Sequence, residues 1–220
     1  MLFIFSLTLV ISLALYLFIV FSKSNLKRPA LLVSFISLIF TFTLYFQSTG
    51  FERFKYIETY IYLENFFLDS EESRNLKRGK LFIKLKEYLE TKKASKNELY
   101  LLKNRLNSIN EFDLSALVLE ELLNDPAGLP KALFSEYTQI LFLLDNRTFT
   151  DRVRKALLRA FIEAPQDAVV LTLKGLEAFQ LEDFDKAEKY WGDALSKIDK
   201  EEEKELIKKS LKTLYLKKNQ

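Results

Sequence analysis

The chain has 220 residues, of which 49% are hydrophobic and 29% charged, and its 33 basic and 30 acidic side chains give a net charge of +3. Because the basic and acidic residues are nearly equal in number, the composition argues against nucleic-acid binding, which needs clustered basic residues. The chain has no Cys and no His. This excludes thiol nucleophiles, imidazole bases, CxxC redox motifs and the usual zinc ligands.

The chain begins with two uncharged, apolar runs, residues 1–21 and residues 30–46. A helix of about 20 apolar residues crosses a bilayer, and the 17 residues of the second run are near the lower limit. The sequence therefore predicts two transmembrane helices joined by a short connector at 22–29. A cleaved signal peptide is the alternative for the first run, but a basic start and a small-residue cleavage site are missing. A buried core helix is the alternative for the second.

The connector indicates the orientation of these helices. It contains Lys23, Lys27 and Arg28, and no basic residue precedes it. Basic connectors stay on the cytoplasmic side of a membrane. We therefore expect the C-terminal part of the chain outside the cytoplasm. If only one of the two runs spans, the orientation reverses.

Residues 47–80 are predicted to be a juxtamembrane segment that is rich in aromatic residues and ends in a linker. Aromatic rings favour the membrane–water interface, so an interfacial belt is one interpretation. A helix packed on the following domain and a docking surface for another membrane protein are the alternatives. Asp69–Lys80 is polar and contains Gly79, which predicts the linker. The aromatic residues are Phe51, Phe54, Tyr56, Tyr60, Tyr62, Phe66 and Phe67.

From residue 81 to residue 220 the apolar spacing is helical, and Pro126, Pro130 and Pro165 fall in breaks between helices. This predicts an all-α domain. Between Ala168 and Leu195, large and small residues alternate as in a 34-residue tetratricopeptide unit. Counting Ala168 as position 1, small residues stand at positions 8, 20 and 27, where they let two helices approach closely. The residues that define the unit are Gly175, Ala187, Trp191 and Ala194, with Pro165 in the preceding break.

One such unit cannot bury its faces alone, so further copies are expected. Moving back by one tetratricopeptide period makes Phe134 the first position of a second unit, and Ala116 at position 20 anchors a third. Glu201–Lys217 carries an apolar stripe and is predicted to be a capping helix with Lys and Glu on its outer side. The residues of this stripe are Leu206, Ile207, Ser210, Leu211, Leu214 and Tyr215. A helical bundle without repeats is the alternative.

Residues 133–195 resemble the tetratricopeptide domain of the c-type cytochrome biogenesis proteins of the CycH type. The similarity is strongest in the series L-x-G-x-x-A-F-x-x-x-D-F-x-x-A-x-x-Y-W, from Leu173 to Trp191, and above all in the pair Tyr190-Trp191. Two spans followed by an extracytoplasmic repeat domain resemble the plan of that family. The connector of this chain is much shorter than in many members.

The resemblance implies a protein of the bacterial inner membrane whose C-terminal domain lies in the periplasm. It implies no enzymatic activity and no cofactor. Its partners would be apocytochrome c, which it holds unfolded, and the membrane subunits of the haem-ligation complex. A general extracytoplasmic tetratricopeptide chaperone or envelope scaffold is the alternative. The pair Asp183 and Asp185 could suggest an enzyme, but acidic residues are routine in such a turn and no base or phosphate loop accompanies them.

A repeat array of this kind binds a peptide along the first helices of its units. Positions 2, 5, 9 and 12 of those helices face inward, so the predicted groove is apolar toward the last unit. Substituting Phe142 or Phe179 should weaken client binding if they line it, and should unfold the domain if they are core residues. The groove residues predicted in this way are Leu101, Arg105, Thr138, Phe142, Thr172, Leu176 and Phe179.

Overall fold

The computed structural model describes Leu38, residues 51–90 and residues 94–219. Within residues 51–90 it describes the side chains from Ile57 onward. All regular secondary structure in these residues is helical, which confirms the predicted all-α class for this part of the chain. The predicted spans and their connector, apart from Leu38, lie outside the described residues. Within residues 51–90 and 94–219 no helix has both the length and the apolar composition needed to cross a bilayer.

The chain divides into two compact units, residues 1–84 and residues 85–220. In the first unit, α1 (Phe51–Leu68) is followed by α2 (Glu71–Glu90), which continues across the boundary. The linker predicted at Asp69–Lys80 is therefore wrong. Two acidic residues in the first turn favour a helix start there. Gly79 lies inside α2, where it costs about 1 kcal/mol relative to Ala.

Within the first unit α1 contacts the part of α2 that precedes the boundary. Leu63 and Phe66 of α1 are buried. Lys84 Nζ lies 2.7 Å from a carboxylate oxygen of Glu58 and 5.8 Å from the centre of the Tyr62 ring. Because these partners belong to different helices and are distant along the chain, their contacts show that the two helices lie against each other.

The second unit consists of helical hairpins. Helices that follow each other pack as the pairs α3–α4, α5–α6 and α7–α8, and the first helices α5 and α7 also contact each other. The last helix, α9, packs on α8. The bounds are α3 (Lys96–Ser108), α4 (Phe112–Asn124), α5 (Ala132–Leu144), α6 (Asp151–Glu163), α7 (Ala168–Gln180), α8 (Phe184–Leu195) and α9 (Glu201–Lys218).

The three hairpins repeat every 36 residues. Their first helices begin at Lys96, Ala132 and Ala168. Each of these helices is closely followed by a residue in the left-handed region, and these residues have the same spacing: Asn110, Asn146 and Glu182, with φ of 61°, 53° and 62°.

The same hydrogen bond closes all three first helices. The backbone N–H that follows the left-handed residue donates to a carbonyl near the helix end, from Glu111 to Leu106, from Arg147 to Phe142 and from Asp183 to Ala178, at 2.8–2.9 Å. This closure satisfies carbonyls that would otherwise lack partners at a helix end. The repeat is therefore a property of the backbone as well as of the sequence pattern.

The predicted start of the last hairpin at Ala168 is confirmed, whereas the predicted register of the hairpins before it is wrong. The tetratricopeptide period places the second start at Phe134, two residues after the observed Ala132. The residues by which the observed period exceeds the tetratricopeptide period lie in the connections between the helices. Seven residues join α4 to α5, and six join α5 to α6, compared with three in the turns of the other two hairpins.

Two apolar clusters lie in the described part of the second unit that runs from α4 to α9. One lies among α4, α5, α6 and the start of α7, and the other joins α7, α8 and α9. Ala187, Trp191 and Ala194 are buried in the second cluster, and Gly175 is buried against Trp191. Pro165 lies in the break between α6 and α7, as predicted. The predicted extent of α9 is confirmed to within one residue, but its buried face is narrower than the predicted stripe: Ile207 and Leu214 are buried, while Leu206 and Tyr215 are exposed.

Candidate functional site: a row along the first helices

The 36-residue period defines which side chains occupy equivalent places on the three first helices. We use the name first-helix row for the nine residues at positions 5, 9 and 12. In the described structure eight of them are at least partly exposed, and Ile140 is buried. The row comprises Tyr100, Asn104 and Asn107 on α3, Glu136, Ile140 and Leu143 on α5, and Thr172, Leu176 and Phe179 on α7.

The difference in register explains where the predicted groove residues lie on α5. One residue turns an α-helix by about 100°, so an error of two residues moves a side chain to nearly the opposite face. Thr138 is fully buried, and its hydroxyl donates a hydrogen bond of 2.8 Å to the Phe134 carbonyl. Phe142 is 6% exposed and its ring lies 4.8 Å from that of Phe149. Both side chains belong to the interior of the second unit.

On α3 the register differs by one residue, and the predicted side chains lie beside the row. Leu101 is 63% exposed, and Arg105 is also exposed. On α7 the predicted register holds, so Thr172, Leu176 and Phe179 all belong to the row. Each of these three is half-buried.

A buried ion pair connects α3 to α5 through the row residue Glu136. Lys103 is only 4% exposed, and its Nζ donates to both carboxylate oxygens of Glu136 at 2.8 and 2.6 Å. Asn107 donates a hydrogen bond of 2.6 Å to the same carboxylate, and the ammonium group also lies 4.9 Å from the centre of the Tyr100 ring. Because a buried charge requires a partner, this network fixes the alignment of the two first helices.

A second polar link joins α5 to α7. The Ser135 hydroxyl lies 3.0 Å from a carboxylate oxygen of Asp167. The other carboxylate oxygen accepts from the backbone N–H groups of Val169 and Val170, at 2.9 and 3.2 Å. Asp167 therefore caps the N-terminus of α7, where four N–H groups lack partners in the helix. Its contact with Ser135 places that end of α7 against α5.

The C-terminal end of the row is aromatic. The Phe179 ring lies 5.5 Å from that of Trp191 and 5.8 Å from that of Phe184. Lys217 of α9 lies 5.3 Å from the centre of the Phe179 ring, close enough for a cation–π interaction. The last helix therefore borders the row at this end.

The loop between α5 and α6 is held by a carboxylate. Asp145 accepts hydrogen bonds from Arg152 and from the Thr150 hydroxyl. These two donors, the arginine first, lower the pKa of Asp145 from its usual 3.8 to about 2. The Thr150 hydroxyl lies 3.5 Å from the backbone N–H of Val153 in the first turn of α6, so this side chain connects the loop to the helix that follows.

The row offers hydrogen-bonding groups at its N-terminal end and apolar and aromatic contacts at its C-terminal end. Such a surface suits the binding of a polypeptide segment. The sequence-based register missed the six row residues on α3 and α5, which are Tyr100, Asn104, Asn107, Glu136, Ile140 and Leu143. A signal for the true period was available, because the similar turn sequences Asn110-Glu111-Phe112-Asp113 and Glu182-Asp183-Phe184-Asp185 are separated by two of the observed periods.

No protein-family model matches the chain, and no curated protein matches it in sequence.

Proposed function

We propose that the second unit is a tetratricopeptide-type scaffold that binds a segment of another polypeptide along the first-helix row. The observation that carries this proposal is the side-by-side alignment of the first helices. Lys103 and Asn107 of α3 contact Glu136 of α5, and Ser135 of α5 contacts the cap of α7. The exposed row side chains of successive units then lie along one surface, and helical repeat proteins bind extended partners along such surfaces.

We further propose that the client is apocytochrome c and that two N-terminal spans anchor the scaffold to the bacterial inner membrane, with the second unit in the periplasm. The resemblance of residues 133–195 to the CycH-type proteins is the basis for this step. In this role the protein holds the unfolded client and presents it to the membrane subunits of the haem-ligation complex. The lack of Cys and His in the chain suits a holder, because the haem and thiol chemistry would then belong to the partners.

A binding measurement with matched variants tests the row. The purified full chain, in detergent, is titrated into a fluorescent apocytochrome segment that contains a C-x-x-C-H haem-attachment motif. Leu143→Ser changes a residue of the row that is 41% exposed, and Leu158→Ser changes a residue of α6 that is 59% exposed. We expect Leu143→Ser to raise Kd by about fivefold or more, the effect of losing about 1 kcal/mol at an important contact. Leu158→Ser should bind like the unchanged protein.

The outcomes separate the parts of the proposal. Equal binding by both variants would remove the row as the binding surface. If the apocytochrome segment does not bind but other unfolded polypeptides do, the protein is a general envelope chaperone. Deletion of the gene gives the same distinction in the cell. Loss of covalent-haem cytochromes supports the apocytochrome role, and broad envelope defects support the general one.

A further inference from the structure

Helix α1 is apolar on two opposite faces. Leu63 and Phe66 on one face are 4% and 0% exposed. On the other face Ile57, Tyr60 and Ile61 are each 54% exposed and Leu68 is 86% exposed. The spacing 57, 60, 61 and 68 places these four side chains within about one third of the helix circumference. We call them the α1 stripe.

A stripe of this kind needs a cover. Soluble helices bury one apolar face and keep the opposite face polar, whereas a helix that is apolar on both sides is buried on both. The described part of the first unit supplies α2 for one face of α1, as the contacts of Glu58 and Tyr62 with Lys84 indicate. The α1 stripe stays open to solvent in the same residues.

The position of α1 in the chain indicates what covers the stripe. The apolar run predicted to span the membrane ends at Phe46, and α1 begins at Phe51. Five residue steps reach at most about 18 Å, and the stripe itself extends about 17 Å along the helix axis. If residues 30–46 cross a bilayer, the start of α1 lies at or near its surface.

We propose that the α1 stripe lies on the lipid bilayer, in the layer between the headgroups and the acyl chains. This inference rests on the proposed membrane anchor and does not depend on the client. The chemistry of the stripe suits that layer, because aliphatic side chains enter the acyl boundary while a tyrosine ring keeps its hydroxyl among the headgroups. Glu64 lies in the same sector of the helix and is half-buried.

Since the chain contains no Cys, single labelling sites are simple to introduce. Ile61→Cys and Leu68→Cys place a polarity-sensitive fluorophore on the stripe. Leu158→Cys on α6 is the control, because that leucine is 59% exposed and lies in the second unit. Each labelled full-length protein is reconstituted into phosphatidylcholine–phosphatidylglycerol vesicles, with and without lipids that carry a spin label on the acyl chain.

On the stripe we expect blue-shifted emission and a loss of fluorescence with the spin-labelled lipids, whereas the probe at position 158 should behave as in water. Emission from position 61 that resembles water overturns the inference. So does a probe that is shielded from water but not quenched by lipid, because a protein surface then covers the stripe. Protein that fails to float with the vesicles overturns the anchor together with this inference. Failure to bind apocytochrome would leave the lipid contact standing.

Discussion

Gly175 and Trp191 face each other across the α7–α8 hairpin so closely that no methyl group fits between them. A Cβ atom added to Gly175 would lie 2.9 Å from Cγ of the indole ring and still closer to Cδ1 and Nε1. The ring is also held in place, because Nε1 donates a hydrogen bond of 3.2 Å to the Thr172 carbonyl. The glycine thus sets the distance between the two helices.

Gly175→Ala should therefore destabilise the protein by about 1–3 kcal/mol, the usual cost of overpacking a core. The measurement is urea unfolding of the full chain, followed by circular dichroism and by the fluorescence of Trp191, the only Trp in the chain.

The matched control is Gly192→Ala on α8, where a Cβ meets no atom within 4 Å. Because Ala is favoured over Gly inside a helix, this variant should gain about 0.5–1 kcal/mol. Equal effects of the two substitutions would contradict the close approach.

The buried pair between α3 and α5 should respond asymmetrically to substitution. The Lys103 side chain is 5% exposed and that of Glu136 is 29% exposed. Glu136→Leu leaves the buried ammonium without its main partner and should cost about 3 kcal/mol. Lys103→Met leaves a carboxylate that water can reach, so the loss of unfolding free energy should be clearly smaller.

The double variant Lys103→Met/Glu136→Leu completes the cycle, measured by the same urea unfolding. It should be more stable than Glu136→Leu alone, since no unpaired charge remains buried. Additive losses would mean that the two side chains do not depend on each other in solution.

The lowered pKa of Asp145 leads us to expect that the free energy of unfolding depends on pH. Its pKa is lowered from 3.8 to about 2 in the folded protein, first by the hydrogen bond from Arg152. The ionised carboxylate therefore stabilises the fold above about pH 4, and this contribution disappears as the pH falls toward 2. Asp145→Asn should lose about 1 kcal/mol at pH 7, because Arg152 is largely exposed and solvent weakens the pair.

The difference between Asp145→Asn and the unchanged protein, from urea unfolding at several pH values, should shrink steadily below pH 4. Arg152→Gln should flatten the same dependence. A constant difference down to pH 2.5 would show that the carboxylate does not titrate in this way.

Substitutions of Phe142 and of Phe179 should have different effects on stability and on binding. Phe142 is 6% exposed within the first cluster, so Phe142→Ala should cost about 3–4 kcal/mol of stability. Phe179 is half-buried at the end of the first-helix row, so its substitution should cost less stability and more client affinity. Thermal unfolding and the apocytochrome titration, carried out on both variants, give the comparison. A larger loss of stability for Phe179→Ala than for Phe142→Ala would reverse the assignment.

The start of the last hairpin and the contact between its helices could be predicted because their signal is local. Gly175, Ala187, Trp191 and Ala194 all lie within one hairpin, and their order follows from the contact of two adjacent helices. The start at Ala168 and the helix at Glu201 were predicted correctly for the same reason. Periodicity within one helix or one hairpin does not depend on the rest of the chain.

Counting back by a fixed period did not give the register of the other hairpins, because the register depends on the lengths of the connections. Loops accept extra residues at little cost, so nothing in the sequence of one helix reports the length of the loop before it. The second hairpin begins two residues earlier than predicted. For this reason Thr138 and Phe142 lie in the interior, and Glu136 and Leu143 lie in the row.

The sequence by itself determined the helical class of the described residues and the close packing of α7 on α8, since helical periodicity and the fit of small to large side chains are properties of neighbouring residues. Only the tertiary structure decided which face of α3 and α5 is exposed. It also decided that Lys103, Asn107 and Glu136 meet, because side chains on separate helices, so distant along the chain, come together only when the hairpins stack.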